Sequence, residues 1–152
     1  MISLVFLIQL AHAAEEPYSF GFPVQKMFNT GLTTGISQRG FVGLECNYSV
    51  VKKSAWMGVY SDVFYDFAQQ DTTITIGPRI GKMVLGVDGG LGIRLGGVDQ
   101  IELGQQFRAL FNLGIASVYY RYGIWSEENT HQIGLTIKIP TILNYERRLA
   151  SP

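Results

Sequence analysis

The chain has 152 residues, enough for one domain, and its 12 Lys plus Arg balance 12 Asp plus Glu. That balance argues against nucleic acid as a partner and against a strong field holding the chain on an anionic surface. Its 18 Gly, 9 Phe and 8 Tyr, with only 16% charged residues, point away from an ordinary helical domain and toward antiparallel β-structure, while a lone cysteine, Cys46, excludes an internal disulfide or a cysteine metal cluster.

In chain order, Ile2 to Leu10 is apolar apart from Ser3 and Gln9, and Ala11-His12-Ala13 offers small residues where a signal peptidase reads. Residues 1–14 are therefore expected to be a signal peptide cleaved after Ala13 or Ala14, although no Lys or Arg precedes the apolar run. No later run approaches the roughly 20 apolar residues of a spanning helix, so membrane entry would require a barrel. Residues 15–27, with Pro17 and Pro23, read as an irregular lead. Eight alternating runs follow, giving an expected barrel over 28–142 and a tail over 143–152. The runs are Phe28 to Ser37, Phe41 to Val50, Ala55 to Ala68, Thr72 to Lys82, Val84 to Leu95, Asp99 to Asn112, Ile115 to Trp125 and Thr130 to Thr141. Separators such as Gln38-Arg39-Gly40, Gln69-Gln70-Asp71 and Gly96-Gly97-Val98 are hairpin length, which predicts sequential antiparallel pairing as an up-and-down meander.

Side chains alternate with period two in a strand, so each run sorts into two faces. The eighth sets Ile133, Leu135, Ile137 and Ile139 against Gln132, Gly134, Thr136 and Lys138. The fifth sets Leu85, Val87, Leu91, Ile93 and Leu95 against Gly86, Asp88, Gly90, Gly92 and Arg94. Ser61 in the third run and Gln105 in the sixth interrupt otherwise apolar faces, and Pro78 predicts a bulge or local irregularity in the fourth. The polar faces together carry Arg79, Arg94, Arg108, Arg121 and Lys138 against Glu45, Asp62, Asp66, Asp88 and Glu102. Arg39, Lys52, Lys53, Asp71, Glu127 and Glu128 fall in the turns.

A soluble, lipocalin-like barrel would bury its apolar face and show water a face of mobile Lys, Glu, Ser and Thr. Here the polar face mixes balanced charges with glycine, which fits the filled lumen of a narrow barrel whose apolar face meets lipid. The fold class read from the sequence is thus all-β: an eight-stranded antiparallel up-and-down β-barrel of transmembrane type, with a polar, filled interior.

Signal peptide, eight short strands and a glycine-rich polar interior resemble the small bacterial outer-membrane barrels of the OmpA/OmpX and lipid A deacylase type. Gly77-Pro78-Arg79, Val87-Asp88-Gly89-Gly90 and Tyr120-Arg121-Tyr122-Gly123 look like the strand and turn phrases of short, uncharacterised outer-membrane proteins. The resemblance implies the outer membrane of a Gram-negative cell. Its partners would be outer-membrane lipid and lipopolysaccharide, with the barrel-assembly machinery during biogenesis.

The deacylase likeness raises lipid A modification as an alternative to a non-enzymatic envelope role. After signal removal His131 is the remaining histidine, and Ser126, Glu127 and Glu128 precede it, so the weak catalytic candidates are His131, Ser126 and Glu127. The deacylase pattern of His and Ser two residues apart on one strand is absent. No cofactor or metal is expected: the Gly86 to Gly92 glycines precede no helix, and Asp88 and Asp99 lack calcium-loop spacing. Trp56, Tyr60, Tyr65, Tyr119, Tyr120, Tyr122 and Trp125 are read as girdle residues at the membrane interface.

Overall fold

The computed structural model describes residues 25–96, 100–126 and 128–144. The expected signal peptide, most of the lead, the tail beyond 144, Asp99 and Glu127 lie outside the described residues.

Eight strands form one closed barrel in sequence order: β1 (Gln25–Ile36), β2 (Phe41–Lys52), β3 (Ala55–Asp66), β4 (Asp71–Lys82), β5 (Leu85–Gly96), β6 (Gln100–Leu113), β7 (Ala116–Ile124) and β8 (Asn129–Asn144). Every neighbouring pair is antiparallel, and β1 closes against β8 from Met27↔Ile142 to Ile36↔Ile133. The described strands take in Gln25 to Met27 and Leu143 to Asn144, outside the expected span of 28–142. The ladder continues through Gln25↔Val51 and Lys26↔Asn144, pairings that alternation of hydrophobicity does not register.

Register sets the shape. The paired residues Gln25, Val51, Trp56, Gly81, Gly86, Leu110, Tyr119 and Gly134 form a path around the barrel that returns to β1 at Gly35, ten residues beyond its start. At ordinary strand spacing and rise, that stagger tilts the strands by about 40° and holds the backbone about 8 Å from the axis. A strand so tilted rises about 30 Å over 12 residues, and the space inside is of the size that side chains fill. Pro78 leaves the register unchanged: Ile76↔Leu91 and Arg79↔Asp88 stay in phase, and the local irregularity is the unpaired step at Gly77 and Pro78 between them.

The two ends differ. At one, two-residue turns Lys53-Ser54, Met83-Val84 and Gly114-Ile115 join the strands, and their first residues have φ of 57°, 54° and 70°. At the other, longer connections run through 37–40 and 67–70. A side chain in the left-handed region costs about 1–2 kcal/mol, which glycine avoids. Met83 is 71% exposed and packs little, so Met83→Gly is expected to stabilise the barrel by about 1 kcal/mol, read as a higher urea midpoint in lipid vesicles.

Candidate functional site

Alternation points one residue of each pair at the axis, and the inward set is polar. Thr33, Glu45, Asp62, Thr75, Gln106, Arg108, Arg121 and Thr136 are all buried. The apolar side chains stand outside instead: Ile76, Leu91 and Leu103 are 64%, 69% and 73% exposed. A small apolar cluster of Phe41, Phe64, Leu110 and Tyr119 interrupts the lumen.

All ten charges on the polar parity of the sequence face inward, and they divide into two groups. Glu45 is the hub of the first. Its Oε1 accepts from Lys138 Nζ at 2.9 Å, Asn47 Nδ2 at 3.0 Å and Arg79 Nη1 at 3.3 Å, and its Oε2 accepts from Arg108 Nη1 at 2.9 Å. Arg108 grips Asp88 with two parallel bonds of 2.7 and 2.8 Å and also reaches Asp62 at 3.1 Å. Asp62 is shared with Arg121. Arg121 donates to Gln132 Oε1 at 3.3 Å, whose Nε2 donates to Asp66 at 3.1 Å. The other oxygen of Asp66 accepts from the Ala68 amide at 2.8 Å, tying the network to the β3–β4 loop. Arg108 also lies over Tyr60, 4.2 Å from the ring centre, and Arg121 over Phe64 at 4.1 Å.

The second group lies at the loop end. Arg94 donates a hydrogen bond to Glu102 at 3.2 Å, pairs in charge with Asp71 at 3.1 Å and approaches Glu128 at 3.9 Å. Asp71 is thus no turn residue: it is the first residue of β4 and is buried, sharing the inward parity of Thr73, Thr75 and Arg79. Extending the fourth run by one residue would have found it.

Two tryptophans seal the lumen and correct the girdle reading for themselves. Trp125, 5% exposed, turns inward, and a Cβ added at Gly92 or Gly104 would run into its ring. Arg94 stacks over it at 4.2 Å. At the turn end Trp56 lies against Gly81 and Gly86 in the same way, with Arg79 at 4.9 Å. Each indole fills space that its glycine neighbours leave free, and the tilt of the strands brings the glycines beneath it. Tyr60 and Tyr119 are likewise buried inside, whereas Tyr65 and Tyr120 stay on the outer wall.

The catalytic candidates are not assembled. The hydroxyl of Ser126 donates to Glu102 Oε1 at 2.7 Å, on the inner rim. His131 faces outward from β8, where its Nδ1 meets the Tyr120 hydroxyl at 2.5 Å and its ring packs 5.0 Å from that of Tyr122. Odd parity puts His131 on the wall with Ile133, so sequence proximity to Ser126 does not become contact. Glu127 lies outside the described residues. Among the described residues no cluster of His, Cys, Asp and Glu is arranged to hold a metal.

On the outward parity, Thr30, Thr34, Ser61, Thr72, Gln105, Asn129, His131 and Thr141 are polar, and among the described residues Lys and Arg, Asp and Glu are confined there to Lys26, Lys52 and Lys82 at strand ends. The chain is an inside-out barrel. No protein-family model matches it, and no curated protein matches it in sequence. Two solved structures are similar. One belongs to the de novo design of transmembrane β-barrels, at 14% identity and a TM-score of 0.47 over 77% of this chain and 97% of that one. The other is Neisserial surface protein A, at 12% identity and a TM-score of 0.42 over 79% of this chain and 100% of that one. Among the described residues the inward positions carry a charge network with one small apolar cluster, where a lipocalin would have an apolar calyx.

Proposed function

We propose that the chain is an integral outer-membrane β-barrel of a Gram-negative cell, exported behind a cleaved signal peptide, with a structural or surface-interaction role and no catalysis of its own. The observation that carries this reading is the inverted polarity: ion pairs at the axis and a predominantly apolar wall outside. In water that wall would be an exposed apolar patch far larger than soluble monomers tolerate. In lipid it is the required surface, and closure pairs the backbone groups that an open sheet would leave bare. A lumen filled by salt bridges and capped by Trp56 and Trp125 favours structure over transport. The partners follow from this placement: outer-membrane lipid and lipopolysaccharide along the wall, and the barrel-assembly machinery during insertion. No nucleic acid and no cofactor enter the proposal.

Cell fractionation combined with gel migration of boiled and unboiled samples tests the placement. The protein is expected in the outer-membrane fraction, with a folded band that shifts on boiling. A soluble periplasmic protein with unchanged migration would overturn the reading. The non-catalytic part is tested by the lipid A mass spectrum of expressing cells, which should match that of cells lacking the protein. A modification that disappears with His131→Ala would replace the structural role with a lipid A-modifying one.

A further inference from the structure

Three charged side chains stand on the outward parity among the described residues: Lys26 at the start of β1, and Lys52 and Lys82 at the ends of β2 and β4. All three lie at the end of the barrel closed by the two-residue turns. Lys53 adjoins them in the turn after β2. Register brings two of them together. Lys52 pairs with Ala55, and Ala55 pairs with Lys82, so two ammonium groups flank one alanine on a single row of the wall. Two strand spacings separate their backbones, about 10 Å, and each side chain is long enough to reach the middle.

Among the described residues no ion pair joins Lys26, Lys52 or Lys82 to a carboxylate. The acids gather elsewhere, at the axis or at the loop end with Asp66, Asp71, Glu102 and Glu128. The charges of the described residues are therefore polarised along the barrel axis. Like charges set side by side repel unless an anion lies between them.

We propose that Lys52 and Lys82, across Ala55 and beside Lys26, hold the phosphate of an anionic phospholipid in the leaflet at the turn end. The proposal rests on the outer-membrane reading, in which short turns mark the periplasmic side. The parity of the lysines selects a lipid over a soluble partner above the barrel mouth. Side chains that leave the wall below Val50 and Ile80 extend along the apolar surface and place their ammonium groups at headgroup level.

The test uses the full chain in nanodiscs of equal parts phosphatidylglycerol and phosphatidylcholine, with retained lipid counted by native mass spectrometry. One lysine near an anionic surface contributes about a fivefold preference, so wild type should retain phosphatidylglycerol over phosphatidylcholine by about tenfold or more. Lys52→Gln with Lys82→Gln should lower the ratio by about tenfold or more, and Lys82→Glu should lower it by about fivefold or more on its own. All three positions are at the solvent edge, so the boiled and unboiled gel bands should match those of wild type in each variant. Equal retention by wild type, or an undiminished preference in the double variant, would overturn the assignment to this rim. A chain that enters no nanodisc of either lipid would overturn the outer-membrane reading and this inference with it.

Discussion

Arg108→Ala is expected to destabilise the lipid-reconstituted barrel by about 3–5 kcal/mol, seen as a lower urea midpoint for the change in gel migration and tryptophan fluorescence. Arg108 is 2% exposed and meets Asp88, Glu45 and Asp62 at once. Removing it leaves Asp88 without its ion pair and takes one cation from each of the other two. The desolvation cost of those carboxylates was already incurred on folding, and alanine returns none of the attraction that offset it. The stacked face of Tyr60 loses its cation as well, whereas Tyr119 keeps Arg121 at 5.2 Å. Arg121→Ala should act in the same direction and more weakly, because Asp62 keeps Arg108 as a partner. A change below about 1 kcal/mol for Arg108→Ala would show that the lumen is wet enough to rehydrate its acids.

Ile76→Arg is the second large effect, and its size depends on what surrounds the wall. Ile76 is 64% exposed in the middle of β4, next to Leu91, and points directly away from the axis. In a bilayer, arginine at such a depth costs about 2–4 kcal/mol. On a soluble protein, an exposed surface substitution of this kind changes stability by about 0.5 kcal/mol or less. Equilibrium unfolding in vesicles separates the two, and Lys82→Arg at the rim serves as the matched control with little expected change. A small effect for Ile76→Arg would place the wall in water.

How far these arguments were legible in the sequence varies by residue. Parity was legible because a strand repeats every two residues, so Ile133, Leu135 and Ile137 and their opposites Gln132, Gly134 and Thr136 could be assigned without coordinates. Strand ends were less so. Lys52, Asp71 and Asn144 are polar and read as turn or tail, yet their backbones remain in the ladder. The tryptophans misled for a related reason. Trp56 and Trp125 lie near strand ends, where an interfacial belt is expected, but what decides their direction is empty space above glycines on other strands.

The sequence by itself determined the eight strands, their order and which face of each carries charge, because alternation and hairpin-length separators are local properties. It could not determine who pairs with whom. Register around the closed barrel sets Glu45 among Lys138, Arg79 and Arg108 and lines up Lys52 with Lys82 across Ala55. A net charge of zero, read along the chain, concealed described residues that are basic at the turn end of the barrel and mostly acidic at the loop end. Summing charge along a chain discards position, and closure of the sheet restores it.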